Sequence, residues 1–160
     1  MATTKIWAIK DSVKRVIEYA RNPDKTELND LARELHYIAD DEKTEWVEDE
    51  KVYLVSSINC TGDPYEAMTK VREHFGDRGS ILAHHAYQSF KPGEVTPELC
   101  HKIGIELAEK LWGDRYQVVV ASHLNKSHLH NHFILNPISF IDGKKIDSGY
   151  TNYYSLREAS

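Results

Sequence analysis

Hydrophobic and polar positions follow two different periods along the chain. Strict alternation over four to eight residues predicts a strand, whereas apolar residues three and four positions apart predict an amphipathic helix. Alternation, or a run rich in β-branched residues, predicts strands at residues 3–9, 52–58, 81–90, 116–122 and 128–138. Helical spacing predicts helices after Ser12, over 28–38, over 63–75, from Thr96 to about Leu111, and in the tail over 153–160.

Cap and breaker residues delimit these helices. Asp11 or Ser12 is a suitable N-cap for the first helix, and Pro23 is expected to end it. Asp63-Pro64 and Thr96-Pro97 each place a capping side chain directly before a proline at the first helical position. Because helices alternate with strands and no linker interrupts them, the sequence predicts a single α/β domain with one layered sheet.

Composition is that of an ordinary globular protein, with 41% apolar and 28% charged residues. The sequence has no apolar run of the roughly 20 residues that a membrane span needs. Two cysteines are too few for a disulfide framework, so we expect a reducing, cytoplasmic location. The net charge of −5 argues mildly against nucleic-acid binding, although acidic residues concentrate between 24 and 50.

Four histidines lie close together in the sequence, at positions 123, 128, 130 and 132. Alternate residues of a strand share one face, and a hairpin would bring His123 beside His130 and His132. Three neutral imidazoles suit Zn, Mn, Co or Ni and leave positions open for a substrate oxygen. His128, nearest the turn, is expected to contact phosphate or support the ligands. The alternative is a polar surface strand without a metal.

A second polar group lies at the end of the strand predicted over 81–90. Ser89 and Lys91 are candidate phosphate contacts, and Glu94 supplies an acid. Tyr87 and Phe90 are aromatic residues on which unpaired bases would stack. The alternative is a strand end followed by a proline-glycine turn.

Three segments, in this order, resemble the motifs of the relaxase/mobilisation nuclease family, a branch of the HUH endonucleases. Val16–Thr26 resembles motif I, which contains the family's nucleophilic tyrosine. His85–Glu94 resembles motif II of relaxases from Gram-positive conjugative and integrative elements. The histidines at 123, 130 and 132, with Asn136 four residues further on, resemble motif III.

This resemblance implies a mainly antiparallel sheet flanked by helices, with the two-histidine strand in the middle. Residues 1–160 would form the nuclease domain of a longer chain. The domain would nick single-stranded DNA at a transfer origin through a covalent 5′-phosphotyrosine, together with accessory relaxosome and coupling proteins. By position, Tyr19 is the nucleophile, and His123, His130 and His132 hold a divalent ion (Mn, Mg, Zn, Co or Ni). His128, Asn136 and aromatic residues such as Trp7 would contact the DNA.

Two positions depart from the family pattern. Many relatives carry Asp two residues after the first histidine, where this chain has Asn125, so the acid that orients a ligand must come from elsewhere; Glu94 is the candidate. Tyr37 repeats the local sequence context of Tyr19 and is the alternative nucleophile.

Three other functions are weighed against the relaxase hypothesis. A rolling-circle replication initiator shares the histidines and the tyrosine, but more usually places its tyrosine after the histidine pair. A non-catalytic, metal-containing DNA-binding module would use the same histidines without a nucleophile. A metal-dependent oxygenase on a β-barrel needs more strands and fewer helices than the sequence predicts.

Overall fold

The computed structural model of the protein describes residues 2–26, 46–48, 51–124, 127–146 and 150–160. The helix predicted over 28–38, the alternative nucleophile Tyr37 and the departure at Asn125 lie outside these residues.

The described elements form one main sheet with helices on both of its faces and a separate two-stranded ribbon. In chain order they are β1 Thr3–Ile9, α1 Val13–Ala20, α2 Pro23–Thr26, β2 Trp46–Glu48, β3 Lys51–Tyr53, β4 Val55–Ile58, α3 Pro64–His74, β5 Ala83–Ser89, α4 Pro97–Trp112, β6 Val118–His123, β7 His130–Leu135 and α5 Tyr150–Ala159.

The main sheet has the strand order β1-β5-β7-β6-β4, and every neighbouring pair is antiparallel. The strand β7, which contains two of the clustered histidines, is therefore central. This confirms the predicted α/β fold with a mainly antiparallel sheet flanked by helices.

The predicted caps begin the three longer helices that precede β6. The side chains of Ser12, Asp63 and Thr96 each accept a hydrogen bond from a backbone N–H of the first turn of α1, α3 and α4. Pro23 has a different role from the one predicted, because α1 already ends at Ala20 and the proline begins α2. Proline is well tolerated there, since the first helical N–H has no partner within the helix.

The strand predicted over 52–58 is divided in two. β3 pairs with β2 in the ribbon, whereas β4 joins the edge of the main sheet beside β6. Leu54 separates them, and its backbone N–H donates to the carbonyl of Thr26 at 2.9 Å.

The strand predicted over 128–138 is shorter at both ends. His130 faces His123 on β6 and Ser89 on β5, where both partner strands end, so pairing on the two sides stops there. At the other end Pro137 has no N–H with which to continue the ladder. His128 therefore lies before the strand.

Apolar residues fill the space on both faces of the sheet. One cluster lies under α1 and α3, and the other lies under α4 and α5. The first comprises Ile9, Ile17, Ala20, Val55, Met68, Ala83, Val119, Ala121 and Ile134. The second comprises Ala86, Leu107, Ala108, Trp112, Val118, Val120, Phe133, Leu135 and Leu156.

Among the described elements, α1 and α3 cover their face of the sheet only in part. At the beginning of β1 and of β7, and at the end of β5, this face borders a cavity of about 490 Å³. Among the described residues, no helix combines the length and apolar character that crossing a bilayer requires.

Candidate active site

Strand register brings the three predicted ligand histidines together. His123 lies directly opposite His130, and His132 follows two residues later on the same face of β7. One ring nitrogen from each histidine lies within 4.8 Å of the corresponding nitrogens of the other two. The local pairing of β6 with β7 therefore produces a three-imidazole cluster.

Backbone carbonyl groups fix two of these rings. Nε2 of His123 lies 2.8 Å from the carbonyl oxygen of Ala20, the last residue of α1, so this nitrogen is the protonated one. Nδ1 of His130 similarly donates to the carbonyl of His128 at 3.3 Å. Since one nitrogen of each ring carries the proton, the lone pair is on Nδ1 of His123 and on Nε2 of His130.

The third ring is held by a histidine rather than by the backbone. Nδ1 of His132 lies 2.8 Å from Nε2 of His85 on β5. The opposite nitrogen, Nε2 of His132, is buried and has no hydrogen-bond partner among the described residues. A buried ring nitrogen without a partner, beside two further imidazoles, fits a divalent cation that the protein would hold here.

Burial keeps the imidazoles of His123 and His132 neutral at physiological pH. Removal from water lowers the pKa of His123 to about 4. It lowers the pKa of His132 to about 2, with a further contribution from the neighbouring His123. Metal ions bind the neutral form of imidazole, so these histidines need not lose a proton at pH 7 before binding a cation.

The exposed ring of Tyr19 stands beside this cluster. Its centroid lies 5.7 Å from that of His123 and 5.8 Å from that of His132. Nζ of Lys25 lies 3.9 Å from the Tyr19 ring centroid. Tyr19 is 49% exposed and forms part of the cavity wall.

The cavity beside the cluster contains most of the other predicted contacts. Its walls are formed by Thr3, Trp7, Tyr19, His85, Tyr87, Ser89, His128, His130 and His132. The aromatic rings of Trp7 and Tyr87 approach to 6.1 Å between centroids. Trp7, Tyr87, Ser89 and His128 thus lie where a substrate near the histidines would contact them.

Phe90 and Asn136 are not in this cavity. Phe90 is only 7% exposed, so most of its ring packs within the protein, and its stacking on a base stays a prediction. Asn136 is 1% exposed beyond the far end of β7, and its amide donates to Oε1 of Gln117 at 3.0 Å. The amide of Asn136 is thus engaged inside the protein, and its contact with DNA stays a prediction.

Glu94 and Lys91 lie in the exposed turn after β5. The carboxylate of Glu94 accepts a hydrogen bond from the backbone N–H of Lys91 at 2.8 Å. The ring of His132 contacts His85, with 2.8 Å between Nδ1 of His132 and Nε2 of His85, and the orienting role of Glu94 stays a prediction.

Sequence reasoning did not single out two residues that the structure brings to the cluster, His85 and Lys25. The alternation of side chains along a strand gave part of the evidence for His85, since residues 85, 87 and 89 share one face of β5. Lys25 gave no signal of its own, because its approach to Tyr19 depends on the turn between α1 and α2.

An open cavity with three convergent imidazoles and an accessible tyrosine has the composition of a metal-assisted nuclease site. Residues 37–160 match the family described as relaxase, MobA/VirD2-like, nuclease domain. The chain therefore belongs to the MobA/VirD2-like relaxase family, which confirms the resemblance found in the sequence. Tyr19 precedes the matched residues.

Relatives from two bacteria agree with this assignment. A "Protein rlx" of Staphylococcus aureus is 45% identical over 94 residues, which are 58% of this chain and 30% of the relative. "Group II intron-interrupted relaxase LtrB" of Lactococcus lactis subsp. cremoris (strain MG1363) is 31% identical over 143 residues, 86% of this chain and 25% of the relative. The chain thus spans between a quarter and a third of the length of these two relatives.

Proposed function

We propose that this domain nicks one DNA strand at a transfer origin and stays attached to the 5′ end through Tyr19. In this proposal His123, His130 and His132 hold a divalent cation. The observation that carries the proposal is the position of the Tyr19 ring, which lies 5.7 and 5.8 Å from the rings of two of those histidines.

The donor set narrows the choice of cation. Imidazole nitrogen suits Zn, Co, Ni and Mn, whereas Mg prefers oxygen ligands. When bound, the cation would neutralise charge on the scissile phosphate and make its phosphorus more electrophilic. The scissile phosphate would enter from the open cavity that Tyr19, His130 and His132 border.

Tyr19 would act as the nucleophile in the cutting step. Its phenol oxygen forms a bond to phosphorus, and the bond between phosphorus and the 3′ oxygen breaks. The phenol loses its proton and the departing 3′ oxygen gains one, so the step is neutral in protons. Because one phosphate ester replaces another, an incoming 3′-hydroxyl group can reverse the reaction and rejoin a strand.

The cavity walls suit single-stranded DNA. Trp7 and Tyr87 offer faces for unpaired bases, and Lys25 places an ammonium group beside Tyr19, where a phosphate would lie. The net charge of −5 limits long-range attraction for DNA, so accessory relaxosome and coupling proteins would help to deliver the origin.

A covalent adduct is the direct test of this proposal. Labelled single-stranded DNA from the neighbourhood of the gene is incubated with the protein, with and without Mn²⁺, and SDS-resistant complexes are counted. We expect a metal-dependent adduct that disappears in Tyr19→Phe. Tyr65→Phe, on α3 away from the cavity, is the matched control and should retain the adduct.

The alternatives give different results in the same assay. Loss of the adduct in Tyr37→Phe but not in Tyr19→Phe would keep the reaction and move the nucleophile. A protein that holds its metal but forms no adduct with any origin DNA would instead be a non-catalytic DNA-binding module.

A further inference from the structure

The orientation of a ligand imidazole depends on the group that binds its second nitrogen, and a carboxylate often has this role. Asn125 offers no carboxylate next to the histidines in the sequence, and the carboxylate of Glu94 accepts a hydrogen bond from the backbone of its own turn. The group that orients His132 therefore has to be found among the residues that contact its ring.

His85 makes that contact. Tyr87 is the register partner of His132, so His85, two residues away on the same face of β5, projects beside it. Nε2 of His85 is 2.8 Å from Nδ1 of His132, and the ring centroids are 5.0 Å apart. Nε2 of His132, on the opposite side of its ring, is the buried nitrogen without a described partner.

A tryptophan holds His85 in turn. Trp7 is the register partner of His85 on β1, and the two rings stack with centroids 4.4 Å apart and an interplanar angle of 37°. His85 is 6% exposed, so its ring has little freedom between Trp7 and His132. Trp7 on β1, His85 on β5 and His132 on β7 therefore form a continuous row of rings from the cavity wall to the histidine cluster.

We propose that His85 is the positioning residue of this site: its Nε2 accepts the Nδ1 proton of His132 and directs Nε2 of His132 toward the cation. This inference rests on the proposed cation at His123, His130 and His132. A neutral imidazole replaces the more usual carboxylate, so the bound ion keeps more of its positive charge for the scissile phosphate.

Cobalt binding tests the role of His85 without any DNA reaction. His85→Phe keeps an aromatic ring beside Trp7 and removes the hydrogen-bond acceptor. Titration of Co²⁺ against a competing chelator should show a 10- to 100-fold loss of affinity, the range typical for loss of an outer partner. The visible absorption spectrum of bound Co²⁺ should change as well, since it reports ligand geometry.

Two further variants separate positioning from packing. His85→Gln restores an amide oxygen as acceptor and should recover part of the affinity and the original spectrum. Glu94→Gln should bind Co²⁺ as the wild type does. Thermal unfolding of the metal-free variants checks their folding, and His85→Met replaces His85→Phe if that variant does not fold.

Unchanged affinity and spectrum in a folded His85→Phe or His85→Met would overturn the proposal, as would a loss that His85→Gln does not relieve. Failure of the cation site itself is distinguishable, because the wild type would then show no Co²⁺ binding. That result would overturn both the site and the role of His85.

Discussion

At the scale of single residues, the clustered histidines differ in the groups that hold them. The carbonyl of Ala20 binds Nε2 of His123, whereas His85 binds Nδ1 of His132. The ring nitrogen of His132 that faces away from His85 is the buried one without a described partner. We therefore expect the loss of His132 to weaken cation binding more than the loss of His85, which acts only through His132.

His132→Gln tests this expectation. The change removes a ligand and should lower the affinity for Mn²⁺ or Co²⁺ by more than the roughly 10- to 100-fold that loss of an outer partner causes. Isothermal titration calorimetry measures the affinity, and His74→Gln, an exposed position on α3, is the control. Equal affinity in both variants would show that His132 is not a ligand.

Trp7 makes a separate prediction about DNA. Its exposed ring offers a stacking surface, and loss of one base–aromatic stack costs about 1–3 kcal/mol of binding free energy. Trp7→Ala should therefore weaken the binding of a single-stranded origin oligonucleotide by this amount in fluorescence anisotropy, and Trp7→Phe should weaken it less. The matched control is Tyr65→Ala, and an equal effect of that change would argue against a stacking site at Trp7.

At the scale of elements, a buried polar network joins α4 to the face of the sheet opposite the histidine cluster. The ring of His101 on α4 lies 2.6 Å from Oγ of Ser56 and 2.7 Å from Oγ of Ser122. Ser122 donates to Asn131 at 2.5 Å, and Asn131 donates to the carbonyl of Cys100 at 2.7 Å. Ser122 and Asn131 are chain neighbours of the clustered histidines, so α4 helps to fix the strands that carry this cluster.

Close approach of α4 to β7 depends on Gly104. A Cβ atom at this position would lie 2.6 Å from Nδ2 of Asn131. Gly104→Ala should gain up to about 1 kcal/mol in helix propensity but lose about 1–3 kcal/mol to overpacking, so we expect lower stability. Urea unfolding measures the change, with the exposed Lys102→Ala as control. A more stable Gly104→Ala protein would show that the helix can move away without cost.

Local sequence signals predicted most of these elements. Alternation predicted β1 with its observed bounds, and the capping residues Ser12, Asp63 and Thr96 begin the helices predicted for them. The strand predicted over 52–58 was divided because its two halves find different partners. Tertiary packing decides which strands pair with each other, and a local sequence pattern gives no information about that pairing.

The contacts of the candidate site could likewise be predicted only in part from the sequence. His123 could be paired with His130 from the sequence because a short hairpin joins their strands. The contact of His85 with His132 could not, since it depends on the register of strands far apart in the chain. The burial of Phe90 and Asn136 could not be predicted from the sequence either, because aromatic and amide side chains occur both in cores and on binding surfaces.

At the scale of the whole molecule, the buried histidines couple folding to pH. Burial lowers the pKa of His85 and of His123 to about 4, below the value of about 6.5 expected in the unfolded chain. Above pH 6.5 neither state is protonated. As the pH falls from 6.5 toward 4, the unfolded chain takes up protons that the folded protein does not, so stability is lost.

Metal-free protein should therefore become less stable between pH 7 and pH 5. Each such histidine contributes a loss of up to about 1.4 kcal/mol per pH unit below its unfolded pKa. Urea unfolding in EDTA measures the slope, which should be shallower in His85→Phe. Constant or rising stability on acidification would contradict the neutral, buried state of these rings.

The most direct measurement is the identity of the residue that becomes linked to DNA. The protein is incubated with origin DNA and Mn²⁺, the adduct is digested with a protease and a nuclease, and the modified peptide is sequenced by mass spectrometry. The proposed function predicts a nucleotide attached through its 5′ phosphate to Tyr19. A nucleotide on Tyr37 or on any other residue would contradict this account of the site.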